Sequence, residues 1–157
     1  MLLAVDLGLN AGLASFDTSG RLRWARSTRF GTKTRLKKAI PSLLAPEIEV
    51  MVSEGDAGLR AQWERVAKPK GIQLLSVTPE IWRKRLLLSR EQRTGAGAKK
   101  VAQVLALRLF DDANLPRPPS LRHDAAEAIL IGLWAVYELG WRKDVPVGLQ
   151  LLTAGLK

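Results

Sequence analysis

The sequence predicts an α/β fold: a mixed five-stranded sheet, three antiparallel strands followed by two parallel ones, flanked by helices on both faces. Three observations predict it. The chain opens with short apolar runs broken by Gly, Asn, Asp and Ser, the pattern of hairpin-joined strands. Apolar strand-like runs then alternate with helical periodicity, and such crossovers feed parallel strands. Finally, 157 residues with 46% hydrophobic and 25% charged composition suit one soluble globular domain.

The elements follow in order. Residues 2–7 are apolar apart from Asp6, and Gly8-Leu9-Asn10 is a turn sequence. Residues 11–16 form a second strand, Asp17-Thr18-Ser19-Gly20 a second turn, and Leu22 to Thr28 a third strand. Gly31-Thr32 opens a helix carrying Leu36, Ala39, Ile40, Leu43 and Leu44, closed by Pro46. Ile48 to Ser53 reads as a strand ending at Glu54-Gly55. A helix over residues 57–67 follows, with Asp56 as its N-cap and Leu59, Trp63 and Val66 on one face. Ile72 to Val77 is the fifth strand. Thr78-Pro79 starts a helix with Ile81, Trp82 and Leu86. Residues 89–98 read as a mobile polar loop. A helix resumes with Val101, Val104, Leu105, Leu107 and Leu109. After a Pro116–Pro119 linker, the last helix spans about Leu121 to Leu139. The expected division is a domain over residues 1–140 and a C-terminal tail over 141–157.

Composition excludes several chemistries. With no cysteine there are no disulfides, thiolate zinc sites or cysteine nucleophiles, and a single histidine, His123, rules out a multi-histidine metal site within one chain. No apolar run approaches the roughly 18 residues of a membrane span. The first residues lack a basic leader, so a cytoplasmic location and no membrane partner are expected. The net charge is +10 and the pI near 10.5. Eight basic residues and no acid lie between Arg21 and Lys38, and a second cluster spans Arg83 to Lys100. Clustered rather than mixed charge points to a polyanion, nucleic acid above all.

Four acids are candidates for chemistry. Asp6 ends the first strand inside an apolar run, where a carboxylate is costly unless paired or bound to a cation. It also fits a plain turn cap. Gly8 and Gly12 leave room for a phosphate to approach the backbone. Glu54 ends the fourth strand, and a parallel neighbour brings it to the same sheet edge as Asp6. Asp124 and Glu127, three apart, share one helical face, although that spacing also suits a capping box. Gathered together, four carboxylates repel unless cations neutralise them, and all-oxygen ligands select Mg²⁺ or Mn²⁺. Two ions about 3.5–4 Å apart suit phosphodiester hydrolysis.

The segments Leu3-Ala4-Val5-Asp6-Leu7-Gly8, Val52-Ser53-Glu54 and His123-Asp124-Ala125-Ala126-Glu127-Ala128 resemble the RNase H-like superfamily. Together with Thr78 to Lys84 and Lys99-Lys100-Val101-Ala102, they are most similar to RuvC-type Holliday junction resolvases over residues 1–139. The resemblance implies a homodimer on a four-way DNA junction, resolving it by symmetric nicks. It also implies Asp6, Glu54, Asp124 and Glu127 as catalytic ligands of two Mg²⁺ ions, with Mn²⁺ as substitute. Two departures are Glu127, where the family usually has Asp, and His123 directly before the acid pair. DNA phosphates would be held by Arg29, Lys33, Arg35, Lys37, Lys38, Arg83, Lys84, Arg90, Arg93, Lys99, Lys100 and His123. The 89–98 loop would order on DNA. Trp82 and Phe30 suit packing better than a wedge between unstacked bases. The alternatives are a nuclease of the same fold acting on a fork, RNA or hybrid, and a nucleic-acid-binding module without catalysis. A phosphate-binding lobe of the actin and sugar-kinase class needs a second lobe that 157 residues do not supply.

Overall fold

The structure is a computed structural model and describes residues 1–87, 91 and 93–144. Its strands are β1 (Leu2–Leu7), β2 (Asn10–Phe16), β3 (Leu22–Arg29), β4 (Val50–Gly55) and β5 (Gln73–Ser76). Its helices are α1 (Lys33–Leu43), α2 (Ala57–Ala67), α3 (Pro79–Leu86), α4 (Gly95–Asp112) and α5 (His123–Glu138). The strands form one sheet in the order β3-β2-β1-β4-β5. β1, β2 and β3 are antiparallel neighbours, while β4 and β5 add in parallel beyond β1. The mixed five-stranded sheet is therefore the one the sequence predicts.

Period-2 alternation divides the strand side chains between two cores. Leu3, Val5, Leu13 and Met51 face the layer of α1 and α2, packing with Leu36, Ile40 and Trp63. Leu2, Ala4, Ala14, Phe16, Val50 and Val52 face the layer of α3, α4 and α5. On that side Ala25, Ala14, Ala4, Val52 and Leu75 form one cross-strand row through all five strands. Its small residues let α5 lie close. At Gly132 of α5, an added Cβ would fall 2.3 Å from the Phe16 ring and 3.1 Å from the Ala4 methyl. α5 is apolar almost all round, as a buried helix must be. Its Ile129, Leu130, Ile131 and Leu133 are fully buried, each worth about 1.5–3 kcal/mol of apolar burial.

Local signals set most boundaries. The side chains of Thr32, Asp56 and Thr94 cap α1, α2 and α4 by accepting from Arg35, Leu59 and Gly97 backbone N–H groups. Such caps are worth about 1 kcal/mol each. Several expectations need correction. Residues 95–98 are the first turn of α4 rather than a loop, because the Thr94 cap and the buried Ala98 outweigh the glycines. The buried face of α4 is Ala98, Ala102, Leu105, Ala106, Leu109 and Phe110, whereas Val104 is 42% exposed. Leu105 and Leu109 are buried as expected, and three alanines share that face. Ile81 also points to solvent. α1 ends at Leu43 with Leu44 as its C-cap, just before Pro46 as expected, and it tolerates Pro41 in its last turn. Trp82 and Phe30 are buried, as packing residues are. Past α5, Arg142 pairs with Asp112 at 2.8 Å and Trp141 packs on the core. Of the expected 141–157 tail, residues 145–157 lie outside the described residues. Among the described residues no helix is long and apolar enough to cross a membrane.

Candidate active site

One cross-strand row builds the floor of the site. Ser27 of β3 is registered with Gly12 of β2, Gly12 with Asp6 of β1, and Asp6 with Glu54 of β4. This row follows the all-apolar row Ala25-Ala14-Ala4-Val52 by two residues, so its side chains face the same way, toward α5. Asp6 and Glu54 thus continue the apolar stripes of their strands on the α5 face, at the carboxyl ends of adjacent parallel strands. Sites in α/β sheets form at that edge.

Gly12 decides where α5 begins. A Cβ there would stand 1.8 Å from the Asp124 carbonyl oxygen and 2.8 Å from the Ala125 nitrogen. Only the bare glycine lets the first turn of α5 rest on β2, between Ser27 and Asp6. The open space at Gly12 is therefore filled by α5 backbone, which corrects its reading as room for a phosphate. Gly8 serves the turn itself, since a Cβ would lie 2.7 Å from the Asn10 carbonyl oxygen. The capping-box reading of Asp124 and Glu127 also gives way. The N-cap position is Arg122, without a side-chain cap, and Asp124 lies inside the helix. Its Oδ1 accepts instead from the Ser27 hydroxyl and, at 2.8 Å, from the Ala125 backbone N–H.

Glu127, one turn further along, accepts at 3.2 Å from Arg83 Nη2 of α3. The two side chains are 26% and 15% exposed, so this pair is partly shielded from water. Arg83, expected to face DNA, is turned inward. Its neighbour Trp82 is fully buried, and the guanidinium lies 5.1 Å from the indole centroid. The buried Trp82 Nε1–H makes no hydrogen bond of good geometry, yet it favours ionised Glu54.

The electrostatics report how closely the acids converge. Burial, then the charges of Glu127, Glu54 and Asp124, push Asp6 up to about 8, with Lys99 opposing. Burial also raises Glu54, joined by repulsion from Glu127 and offset in part by Trp82 and Arg83. Carboxyls raised by burial and by like charges beside them are a mark of functional clusters. A cavity of about 490 Å³ opens over three of the acids but not Glu54, lined by Asp6, Lys99, Gln103, Arg122, His123, Asp124 and Glu127. Its floor is acidic and its rim basic.

The donor set suits a hard divalent cation: carboxylate oxygens alone, from three elements, each partly withdrawn from water. The acids are neighbours rather than a closed cage. Among the described residues no three acid or histidine side chains stand at common ligating distance. Asp124 is engaged by Ser27, and Glu127 by Arg83.

The expected basic residues occupy different places. Lys99 and His123 line the cavity. Arg29 ends β3, and Lys33 and Arg35 begin α1, at the same sheet edge as Asp6. Lys37 and Lys38 continue along α1, and Lys84, Arg93 and Lys100 are exposed. None of these makes an ion pair with another described residue. Arg90 lies outside the described residues. Sequence reasoning missed Ser27, Gln103 and Arg122. Gln103 had a signal, standing one helical turn after Lys99, and it now donates to the Leu121 carbonyl at 2.8 Å where the chain leads into α5. Arg122 adjoins His123. Ser27 had none, because only sheet register brings it to Asp124.

Compared with known proteins, the chain matches no family model and no curated protein. Its fold matches solved structures. Among them is T. thermophilus RuvC in complex with Holliday junction substrate, at a TM-score of 0.60 and 15% identity, covering 89% of this chain and 96% of that one. The chain therefore has a RuvC-like, RNase H-like fold.

Proposed function

We propose that this chain is a structure-selective DNA endonuclease that cuts four-way junctions by divalent-metal-dependent phosphodiester hydrolysis. One observation carries the reading. Asp6 and Glu54 stand side by side at the carboxyl edge of the sheet, under a helix that brings Asp124 and Glu127 into electrostatic contact with Asp6. The likeness of fold to a protein held on a junction supports the substrate class. On this reading the four acids hold two Mg²⁺ ions, or Mn²⁺ in their place. When bound, such ions lower the pKa of water and stabilise charge on both sides of an in-line displacement.

The remaining work belongs to the chain's own residues. Asp6, half-buried and crowded by three acids, takes up either a proton or a cation to relieve its charge. Ser27 fixes the rotamer of Asp124. Lys99, Arg122 and His123 on the rim hold phosphate oxygens next to the acids. The exposed cations of α1 and of residues 84–100 extend the track over neighbouring phosphates, so that affinity falls steeply with salt. Residues 1–140 form the catalytic unit, and a homodimer presents two such sites to the two strands to be cut.

The test compares a four-way junction, a Y-shaped fork and an RNA–DNA hybrid, each with Mg²⁺ or EDTA, using the native protein and Asp6→Asn. The reading expects Mg²⁺-dependent paired nicks in the junction, lost in Asp6→Asn while junction binding persists. Preferential cutting of the fork or hybrid moves the activity to that substrate. EDTA-resistant cutting removes the metal. A second reading, a binding module without catalysis, draws on the Arg83–Glu127 pair, which already occupies one of the acids. Calorimetry showing no Mn²⁺ binding with or without DNA would favour it.

A further inference from the structure

We infer that Arg83 is a built-in competitor of the divalent cation, a latch that neutralises Glu127 in the ion-free protein and must leave before a cation binds there. The inference rests on the metal-binding reading of the four acids.

The geometry is specific. Arg83 Nη2 lies 3.2 Å from Glu127 Oε1, and both side chains are mostly buried. The same guanidinium also stabilises ionised Glu54. It comes from α3, an element that supplies none of the four acids. A cation placed there does what a metal would do, since it offsets repulsion among carboxylates packed into one edge of the sheet. The arginine is itself seated. The guanidinium lies beside the buried Trp82 indole, whose ring it approaches to 5.1 Å.

Simultaneous occupation is disfavoured. A guanidinium and a divalent ion on one carboxylate repel each other strongly in a partly desolvated site. Metal affinity is therefore lowered by the free energy of the pair. Partly buried charge-assisted bonds exceed exposed ones, so removing the latch should tighten binding by roughly five- to tenfold. Contrast Ser27 and Asp124. A neutral hydroxyl brings no charge to repel an ion on the same carboxylate, so that contact orients without competing.

The test is Mn²⁺ binding by calorimetry to the native, DNA-free protein and to Arg83→Gln, Arg83→Lys, Glu127→Gln and the Arg83→Gln/Glu127→Gln double variant. Thermal melts in EDTA verify that each is folded. The latch expects Arg83→Gln to bind Mn²⁺ five- to tenfold more tightly than native, and Arg83→Lys to stay close to native because it keeps the charge. In the Glu127→Gln background, adding Arg83→Gln should change affinity less than twofold. If the native protein binds Mn²⁺ and Arg83→Gln binds it equally or more weakly, the latch is refuted and the metal site stands. If neither binds Mn²⁺ at millimolar concentration, the metal-binding reading itself falls, and the latch falls with it. An unfolded Arg83→Gln leaves the comparison to Arg83→Lys, where more than threefold tighter or weaker binding would also overturn the latch.

Discussion

Replacing Asp6 by asparagine should make the ion-free protein more stable while removing its capacity to bind a cation. The Asp6 carboxyl rises from 3.8 to about 8, chiefly through burial and then through Glu127, Glu54 and Asp124. A carboxyl raised on folding binds its proton more tightly in the native state. The stability it contributes is complete below about pH 3.8 and is lost progressively as pH climbs to about 8. At about 1.36 kcal/mol for each tenfold change in proton affinity, the loss is at most about 6 kcal/mol. The cavity above Asp6 is open to water, so screening reduces this, and about 2–3 kcal/mol is the expected effect. Asparagine has the same size and no charge. Urea unfolding in EDTA should show Asp6→Asn ahead of native by under about 1 kcal/mol at pH 4 and by about 2–3 kcal/mol at pH 8.5. Mn²⁺ at a hundred times its dissociation constant should then stabilise the native protein by about 2.7 kcal/mol and leave Asp6→Asn unmoved. An Asp6→Asn protein less stable than native at pH 8.5, or a gap independent of pH, would refute the electrostatic account.

Three further outcomes are expected. Gly12→Ala forces a methyl against the Asp124 carbonyl oxygen, 1.8 Å away, with backbone on both sides. It should cost more than about 4 kcal/mol or unseat the start of α5, and a native-like urea midpoint would contradict the close approach. Ser27→Ala removes the donor to Asp124. It should weaken Mn²⁺ binding several-fold in calorimetry while changing stability by only about 1 kcal/mol; unchanged affinity would deny Ser27 its orienting role. Because burial and the neighbouring acids raise Asp6 well above an ordinary carboxyl, Mn²⁺ affinity should rise with pH between about 5 and 8, with proton release. Calorimetry in buffers of different ionisation enthalpy checks this, and a pH-independent affinity would separate Asp6 from the cation.

Much of the molecule was legible along the chain. The meander, the alternation of strand and helix, the helix start at Gly31-Thr32 and the cap at Asp56 depend on spacing and on residues a few positions apart. The four acids stood out because a carboxylate in an apolar strand, or paired on one helical face, is chemically expensive. The strand-end position of Asp6 and Glu54 even anticipated their meeting at one sheet edge. Elsewhere local rules misled. Glycines at 95 and 97 argued for a loop, but the Thr94 cap and the packing of Ala98 made a helix. Val101 of α4 packs on the core as its spacing suggested, but Val104 points to solvent and Ala98, Ala102 and Ala106 lie on the buried face instead.

Composition, charge, element order and the identity of the acids were thus determined by the sequence itself, since each follows from local periodicity or from the chemistry of a single side chain. Only the tertiary structure decided that Ser27, Gly12, Asp6 and Glu54 share one row, that Gly12 seats α5, and that Arg83 turns inward onto Glu127. The physical reason is that strand register and helix crossing are settled by burial summed over the whole sheet, and no residue carries that sum in its own neighbourhood.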